Sequence, residues 1–220
     1  MSEAIEPADV GARIGSQDDE TDHGGEYGFE DVSVVMGTYN EEAAIGPVLS
    51  DIDRITDGKA EVVCVDGSSD RTPEIAREHG ARVIEQEPQG YGVAVREAIL
   101  APDRPIVVTT DCDDTYPMEQ LPEFLGVINA GYDVVSGDRL YHGAETMPGF
   151  NRLGNRLFAL GASVLMGDRV HDTTTGMRAY RREVIESIEW TENTGLSAEL
   201  LIRPLMRGYD VREHPIEYAE

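Results

Sequence analysis

Two carboxylates one residue apart, Asp111 and Asp113, follow directly on the apolar run Pro105–Thr110. At the end of a buried strand such a pair can reach a divalent ion and a diphosphate together. Mg2+ and Mn2+ prefer oxygen ligands of this kind and keep water and substrate phosphates as the remainder of their shell. An acidic turn has the same composition; the strand in front of the pair favours the metal reading, because ligands in α/β sheets bind beyond the carboxyl ends of strands. A second cluster, Asp66-Gly67-Ser68-Ser69-Asp70, also follows an apolar run, Glu61–Val65. A carboxylate there can accept a base N–H, and glycine permits close approach. Ser69 or Asp70 can also cap the helix that follows. Gln89-Gly90-Tyr91-Gly92 opens a helical stretch, where exposed amides suit phosphate. Val95 stands where the dinucleotide fingerprint requires a third glycine, which argues against a dinucleotide site.

A fourth feature is a local reversal of charge. Residues 150–182 hold six arginines (152, 156, 169, 178, 181 and 182) against Asp168 and Asp172, inside a chain of net charge -25. Arginine suits bidentate contact with phosphate, so an anionic partner is implied, with ordinary surface ion pairing as the plainer explanation.

These clusters need elements to hold them. Apolar β-rich runs predict strands at Val32–Met36, Glu61–Val65, Arg82–Gln86, Pro105–Thr110 and Asp133–Ser136. Helical spacing predicts helices over Glu42–Ile55, Arg71–His79, Gly90–Leu100 and Pro117–Asn129, with Thr72-Pro73 as N-cap and first residue of the second. Strand–helix alternation of this kind implies an α/β fold with a largely parallel sheet covered on both faces. Further on, Phe150–Met166 reads as an apolar helix, His171–Tyr180 as a polar connection, Ser197–Arg207 as a helix and Tyr209–Tyr218 as a strand. Residues 1–30 carry nine acids against Arg13 and show no periodicity, so a disordered acidic tail is expected there. The remainder, 31–220, reads as one domain, with a donor half over about 31–115 and an acceptor half over about 116–220.

Lys59 is the only lysine, and acids continue through the folded region. That balance suits a protein kept soluble in concentrated salt, where carboxylate repulsion is screened within a few ångströms. So negative a field argues against nucleic acid as a partner. Two separated cysteines, Cys64 and Cys112, read as free thiols in a reducing compartment. The amino terminus lacks the apolar run of a signal peptide, and no stretch reaches the roughly 18 apolar residues of a spanning helix.

Taken together, Thr38-Tyr39-Asn40-Glu41, Val65–Asp70, Gln89–Gly92, Asp111-Cys112-Asp113, Ser136-Gly137-Asp138-Arg139 and Asp172–Arg178 occur in the order seen in dolichyl-phosphate hexose (mannose or glucose) synthases. Over about Val32–Tyr218 the chain resembles that group of family 2 glycosyltransferases, with a halophilic archaeal source. The resemblance implies a GT-A fold and an inverting transfer from a nucleoside diphosphate sugar to a polyprenyl phosphate, at the cytoplasmic face of the membrane. It implies that Tyr39, Glu41 and Asp66 hold the nucleoside, with Thr38 and Gly90 beside them in the donor set. It implies that Asp111 and Asp113 handle ribose and a Mg2+ or Mn2+ ion. Arg139, Arg152 and Asn155 would meet the acceptor phosphate, with Arg178 added from the basic cluster; Asp113, Arg139 and Arg152 are the candidate catalytic residues. Three departures stand out. The family usually has Pro at the position of Gly37, and Gln or His as third metal-side ligand where this chain has Thr115. The family also continues with a basic segment beyond the last strand, whereas this sequence ends at Glu220, so a shortened form of a longer protein is expected.

A phosphomonoester acceptor has a second pKa of about 6 and is already an anion near neutral pH. It needs orientation and a stabilised leaving group, not a strong base. A hydroxyl acceptor would need a carboxylate base, for which Glu199 is held in reserve. A sugar-phosphate nucleotidyltransferase is the rival enzyme, disfavoured because Gly37–Glu41 carries no basic residue. A binding module without chemistry is disfavoured by the intact Asp111/Asp113 pair. Finally, the apolar positions of Phe150–Met166, interrupted by Arg152, Asn155 and Arg156, suit a helix lying at a membrane surface; a core helix is the alternative.

Overall fold

A computed structural model of the chain describes residues 13–14, 26–140, 171–191 and 195–217. Arg152, Asn155 and the whole of Phe150–Met166 lie outside the described residues. The elements run β1 (Arg13–Ile14), β2 (Val32–Thr38), α1 (Ile45–Thr56), β3 (Glu61–Asp66), α2 (Thr72–Glu78), β4 (Arg82–Glu85), α3 (Tyr91–Leu100) and β5 (Ile106–Thr109). They continue with α4 (Leu121–Asn129), β6 (Val134–Asp138), β7 (Arg178–Arg181), α5 (Arg182–Ser187), α6 (Leu196–Met206) and β8 (Val211–Pro215).

The strands form one sheet in the order β1-β8-β6-β7-β5-β2-β3-β4. β5, β2, β3 and β4 are mutually parallel, and β8 is parallel to β6. β7 enters antiparallel between β5 and β6. Successive residues of a strand face opposite sides of a sheet. Accordingly Val34 and Met36 of β2 join Ile45, Ile52 and Phe124 from α1 and α4 on one side. Val35 of the same strand joins Val95, Ile99, Val184 and Leu200 from α3, α5 and α6 on the other. Both faces are therefore covered, which is why these strands read as continuous apolar runs.

Gly37 has a packing reason. A Cβ there would lie 2.9 Å from the Cβ of Ala94, so its absence lets α3 sit close on β2. Asp57, with φ of 56°, and Gly58, with φ of 66°, turn the chain off α1 in the left-handed region.

Three expectations need correction. β7 and α5 occupy a stretch read partly as a polar connection. All four residues of β7 are buried, and its two arginines satisfy the pattern by internal hydrogen bonds. The acidic tail does not run to residue 30. Tyr27 and Phe29 pack on the core, the Tyr27 N–H donates to Asn129 Oδ1 at 2.9 Å, and Arg13–Ile14 pairs with β8. Thr72 is the first residue of α2 rather than its cap; Arg71 caps and Pro73 is second.

Candidate functional site

The parallel order brings the ends of β2, β3 and β5 side by side, and with them three of the polar clusters. Thr38 closes β2, and its hydroxyl donates to Asp66 Oδ1 at 2.7 Å. Ser68 donates to the same carboxylate twice, from its amide to Oδ2 at 3.0 Å and from its hydroxyl to Oδ1 at 2.7 Å. Asp66 is thus a fixed, buried acceptor with lone-pair capacity left over. Asn40 adopts φ of 56°, which lets its side chain accept from the Ser69 amide at 2.9 Å and its own amide donate to Ser68 Oγ at 2.7 Å. The two loops are stitched into one wall. Above it lies a cavity of about 260 Å³ lined by Thr38, Tyr39, Gly67, Pro88, Gly90 and Tyr91 among others. Tyr39 is exposed, and Gly90 opens α3 with φ of 98°, a conformation that favours glycine. A Cβ on Gly67 would come within 3.3 Å of Pro88, so glycine keeps this wall thin.

Beside the cavity stands the acidic pair. The Tyr91 hydroxyl donates to Asp111 Oδ1 at 2.5 Å. The Thr115 hydroxyl donates to Asp113 Oδ1 at 2.5 Å, and its amide to the same oxygen at 3.2 Å. Thr115 therefore supports the Asp113 carboxylate from the position where a third ligand was sought. Burial pushes the Asp111 carboxyl up, and the Asp113 charge adds to this, while the Tyr91 hydrogen bond, Arg139 and Arg178 oppose it. Glu41 is also raised, by burial and then by Asp113, Asp70 and Asp111. Two raised carboxyls, Asp111 and Glu41, beside the Asp113 charge, all oxygen donors, fit a hard divalent cation, which would relieve the repulsion.

On the far side the segment 171–177 crosses close to the pair, so that a Cβ on Gly176 would overlap the Asp111 carboxylate. The Gly176 amide donates to the Tyr116 hydroxyl at 2.7 Å. Arg139, one residue past β6, grips Asp172 with both arms of its guanidinium, at 2.6 and 2.9 Å. It also donates to Thr174 Oγ1 at 2.9 Å. This bidentate pair is almost entirely buried.

Two site expectations are corrected here. Arg178 has no exposed surface; it donates to Ser136 Oγ at 3.1 Å and to the Thr173 carbonyl at 3.0 Å. It lies behind the acidic pair, lowering the Asp111 carboxyl, and has no surface to offer an acceptor. Glu199 is buried on α6, where it accepts from Arg203 at 2.6 Å and from the Thr191 amide at 3.2 Å. These partners lie outside the site, so Glu199 reads as structural.

Of the donor set, Thr38, Tyr39 and Gly90 line one cavity; Asp66 is bonded to Thr38, and Glu41 feels the charges of Asp111 and Asp113. Reading by residue type missed Tyr91, Tyr116 and Asp172 as site groups. Tyr91 and Asp172 lay inside the quoted clusters, whereas nothing in the sequence singles out Tyr116.

Known proteins resemble this chain in sequence and fold. A family model described as Glycosyl transferase family 2 matches residues 33–189. A Dolichyl-phosphate hexose transferase of Haloferax volcanii is 77% identical over 195 residues, which span 89% of this chain and 86% of that relative. Glycosyltransferase AglJ of the same organism is 34% identical, over 85% of this chain and 62% of its own length. Among solved structures, glucosyl-3-phosphoglycerate synthase from Mycobacterium tuberculosis, in complex with Mn2+ and uridine-diphosphate-glucose, superposes with a TM-score of 0.69 at 25% identity. That match covers 86% of this chain and 70% of the synthase.

Proposed function

The chain belongs to glycosyl transferase family 2, and on that premise we propose that it is an inverting, metal-dependent hexosyltransferase acting on a polyprenyl phosphate such as dolichyl phosphate. Its donor on this reading is a nucleoside diphosphate sugar. The observation that carries the proposal is the adjacency of the Thr38–Asp66 wall to the Asp111/Asp113 pair across one cavity. A nucleoside in that cavity would set its base against Asp66 and Tyr39, and its diphosphate towards Gly90 and the acidic pair.

Asp111 and Asp113 would hold the cation, Mg2+ or Mn2+, between them and the diphosphate. Bound there, it supplies Lewis-acid stabilisation of the leaving diphosphate. The acceptor oxygen, already anionic, attacks the anomeric carbon from the side opposite the diphosphate; a new C–O bond to the acceptor forms as the anomeric C–O bond to the diphosphate breaks, the nucleoside diphosphate leaves and the configuration inverts. No proton has to be removed in this step. The chain's own task is alignment. Arg139 stands at the rim of the site with its guanidinium fixed by Asp172, and Arg152 and Asn155 complete the acceptor set in this reading. Glu199, tied to Arg203 and Thr191, gives a hydroxyl acceptor no base, so the phosphate acceptor is the reading favoured.

Among the described residues no helix is long and apolar enough to cross a membrane. A lipid acceptor calls for contact with the inner membrane face, and Phe150–Met166, outside the described residues, is the segment proposed to provide it. The experiment is to incubate membranes and purified chain with a panel of labelled nucleotide sugars and extract lipid. Mild-acid-labile label in the lipid phase, dependent on divalent metal, is expected. Label found only in free sugar or on protein would sink the proposal.

A further inference from the structure

Outside the donor site, three metal-ligating side chains meet at the ends of β6 and β8. β8 runs parallel to β6 with Glu213 beside Ser136, two residues before Asp138, so both carboxylates share a face of the sheet. Both are buried, Asp138 at 1% and Glu213 at 5% exposure. His171, which begins the segment crossing the acidic pair, places Nδ1 3.0 Å from Asp138 Oδ2 and 3.5 Å from Glu213 Oε2. One ligand atom from each residue can be chosen so that all three lie within 4.8 Å of one another.

We propose that Asp138, His171 and Glu213 form a second metal site, for a borderline first-row cation of the Zn2+ type, distinct from the Asp111/Asp113 pair.

Charge and geometry both support it. The neighbouring bidentate pair of Arg139 and Asp172 neutralises itself, which leaves two buried carboxylates facing one imidazole. With metal–ligand bonds of about 2.0–2.1 Å, tetrahedral coordination sets ligand atoms roughly 3.3 Å apart. The two separations from Nδ1 bracket that value. The carboxylates are also pre-oriented. Asp138 accepts the Leu140 amide at 2.8 Å through Oδ1, leaving Oδ2 towards His171. Glu213 accepts the amides of His171 and Asp172, each at 3.0 Å, through Oε1, and the His171 amide is shared with Oε2 at 3.1 Å. His171 is 48% exposed, so remaining coordination positions are open to water. A nitrogen ligand selects Zn2+ over Mg2+, which prefers an all-oxygen octahedron. The ion would fasten β6, β8 and the start of segment 171–177, whose far end carries Gly176 against Asp111.

The test is metal counting, and no transfer assay enters it, so it stands or falls apart from the proposed function. The chain is stripped with EDTA, equilibrated with Zn2+ in excess Mg2+, desalted and measured by inductively coupled plasma mass spectrometry. Wild type and Asp113→Ala are expected to retain about one Zn2+ each, and Zn2+ to raise their melting temperatures. His171→Ala, which removes a half-exposed side chain, should bind at least about tenfold more weakly, equivalent to about 1.4 kcal/mol, and lose the thermal shift. Zn2+ retained equally by His171→Ala would overturn the proposal. So would loss in Asp113→Ala alone, or wild type that binds none.

Discussion

The Tyr91 hydroxyl donates to Asp111 Oδ1 at 2.5 Å while its ring lines the donor cavity. One side chain thus touches both the proposed nucleoside pocket and the metal-side carboxylate. The hydrogen bond opposes the upward push that burial exerts on Asp111, so it helps keep that carboxyl ionised. Hydrogen bonds to charged groups contribute about 1.5–3 kcal/mol. Tyr91→Phe is therefore expected to lower kcat/KM roughly 10- to 100-fold and to raise the metal concentration needed for half-maximal activity, with little change in Tm. Unaltered metal dependence in the variant would remove Tyr91 from the site.

Asp113→Ala should abolish transfer and leave the fold intact, because Asp113 is exposed and accepts from the amide and hydroxyl of nearby Thr115 in the same loop. Thr115→Val, which deletes the supporting hydroxyl, should lower activity by a smaller factor, on the order of tenfold. Activity across a Mn2+ titration checks both. Substantial turnover by Asp113→Ala at limiting Mn2+ would refute the assignment.

Without metal, stability should fall as pH rises from about 4 to about 7. The carboxyls of Glu41, Asp111, Asp138 and Glu213 are all raised in the folded chain, the last to about 7. The native state then holds protons that the unfolded chain, with ordinary values near 4, has released. These four groups give stability a negative slope with pH across that window, opposed in part near its upper end by His214, which burial lowers. Thermal melts of the chelated protein in constant KCl should show a higher midpoint near pH 5 than at pH 8. Mn2+ or Zn2+ should narrow the difference. A midpoint that climbs with pH would contradict the sign.

With a net charge of -25 and one lysine, the chain should lose stability on dilution of salt. Melts from molar to millimolar KCl should give a falling midpoint. A rising one would rule out the halophilic reading.

The amino-terminal boundary is open to a direct check. Tyr27 packs on the core, exchanges two hydrogen bonds with Asn129 and lies 5.5 Å beneath the Arg181 guanidinium. Deleting residues 1–30 should accordingly destabilise the protein by about 1–3 kcal/mol more than deleting 1–25. Urea unfolding midpoints of the two truncations decide this. Equal midpoints would return residues 26–30 to the tail.

Much of the site was legible because its chemistry is local. Asp66, Asp111 and Asp113 each end or follow an apolar strand, and in a parallel sheet strand ends converge on one rim. The α/β class and the covered sheet could be read from periodicity and spacing, whereas family 2 was reached through the resemblance of the ordered motifs. Nothing local, however, distinguishes a buried arginine from an exposed one. The arginines of β7 and their neighbours read as a basic surface, yet Arg178 is enclosed, with Ser136 and the Thr173 carbonyl, brought by β6 and segment 171–177, accepting from its Nε and Nη2. Glu199 reads from the sequence as a reserve base, yet α6 sets it against Arg203 and Thr191. The antiparallel entry of β7 and the meeting of Asp138, His171 and Glu213 join residues 33 to 75 positions apart. Burial and charge pairing between such distant residues depend on which strands become neighbours. That choice is made by packing of the whole sheet, and so only the tertiary structure decides it.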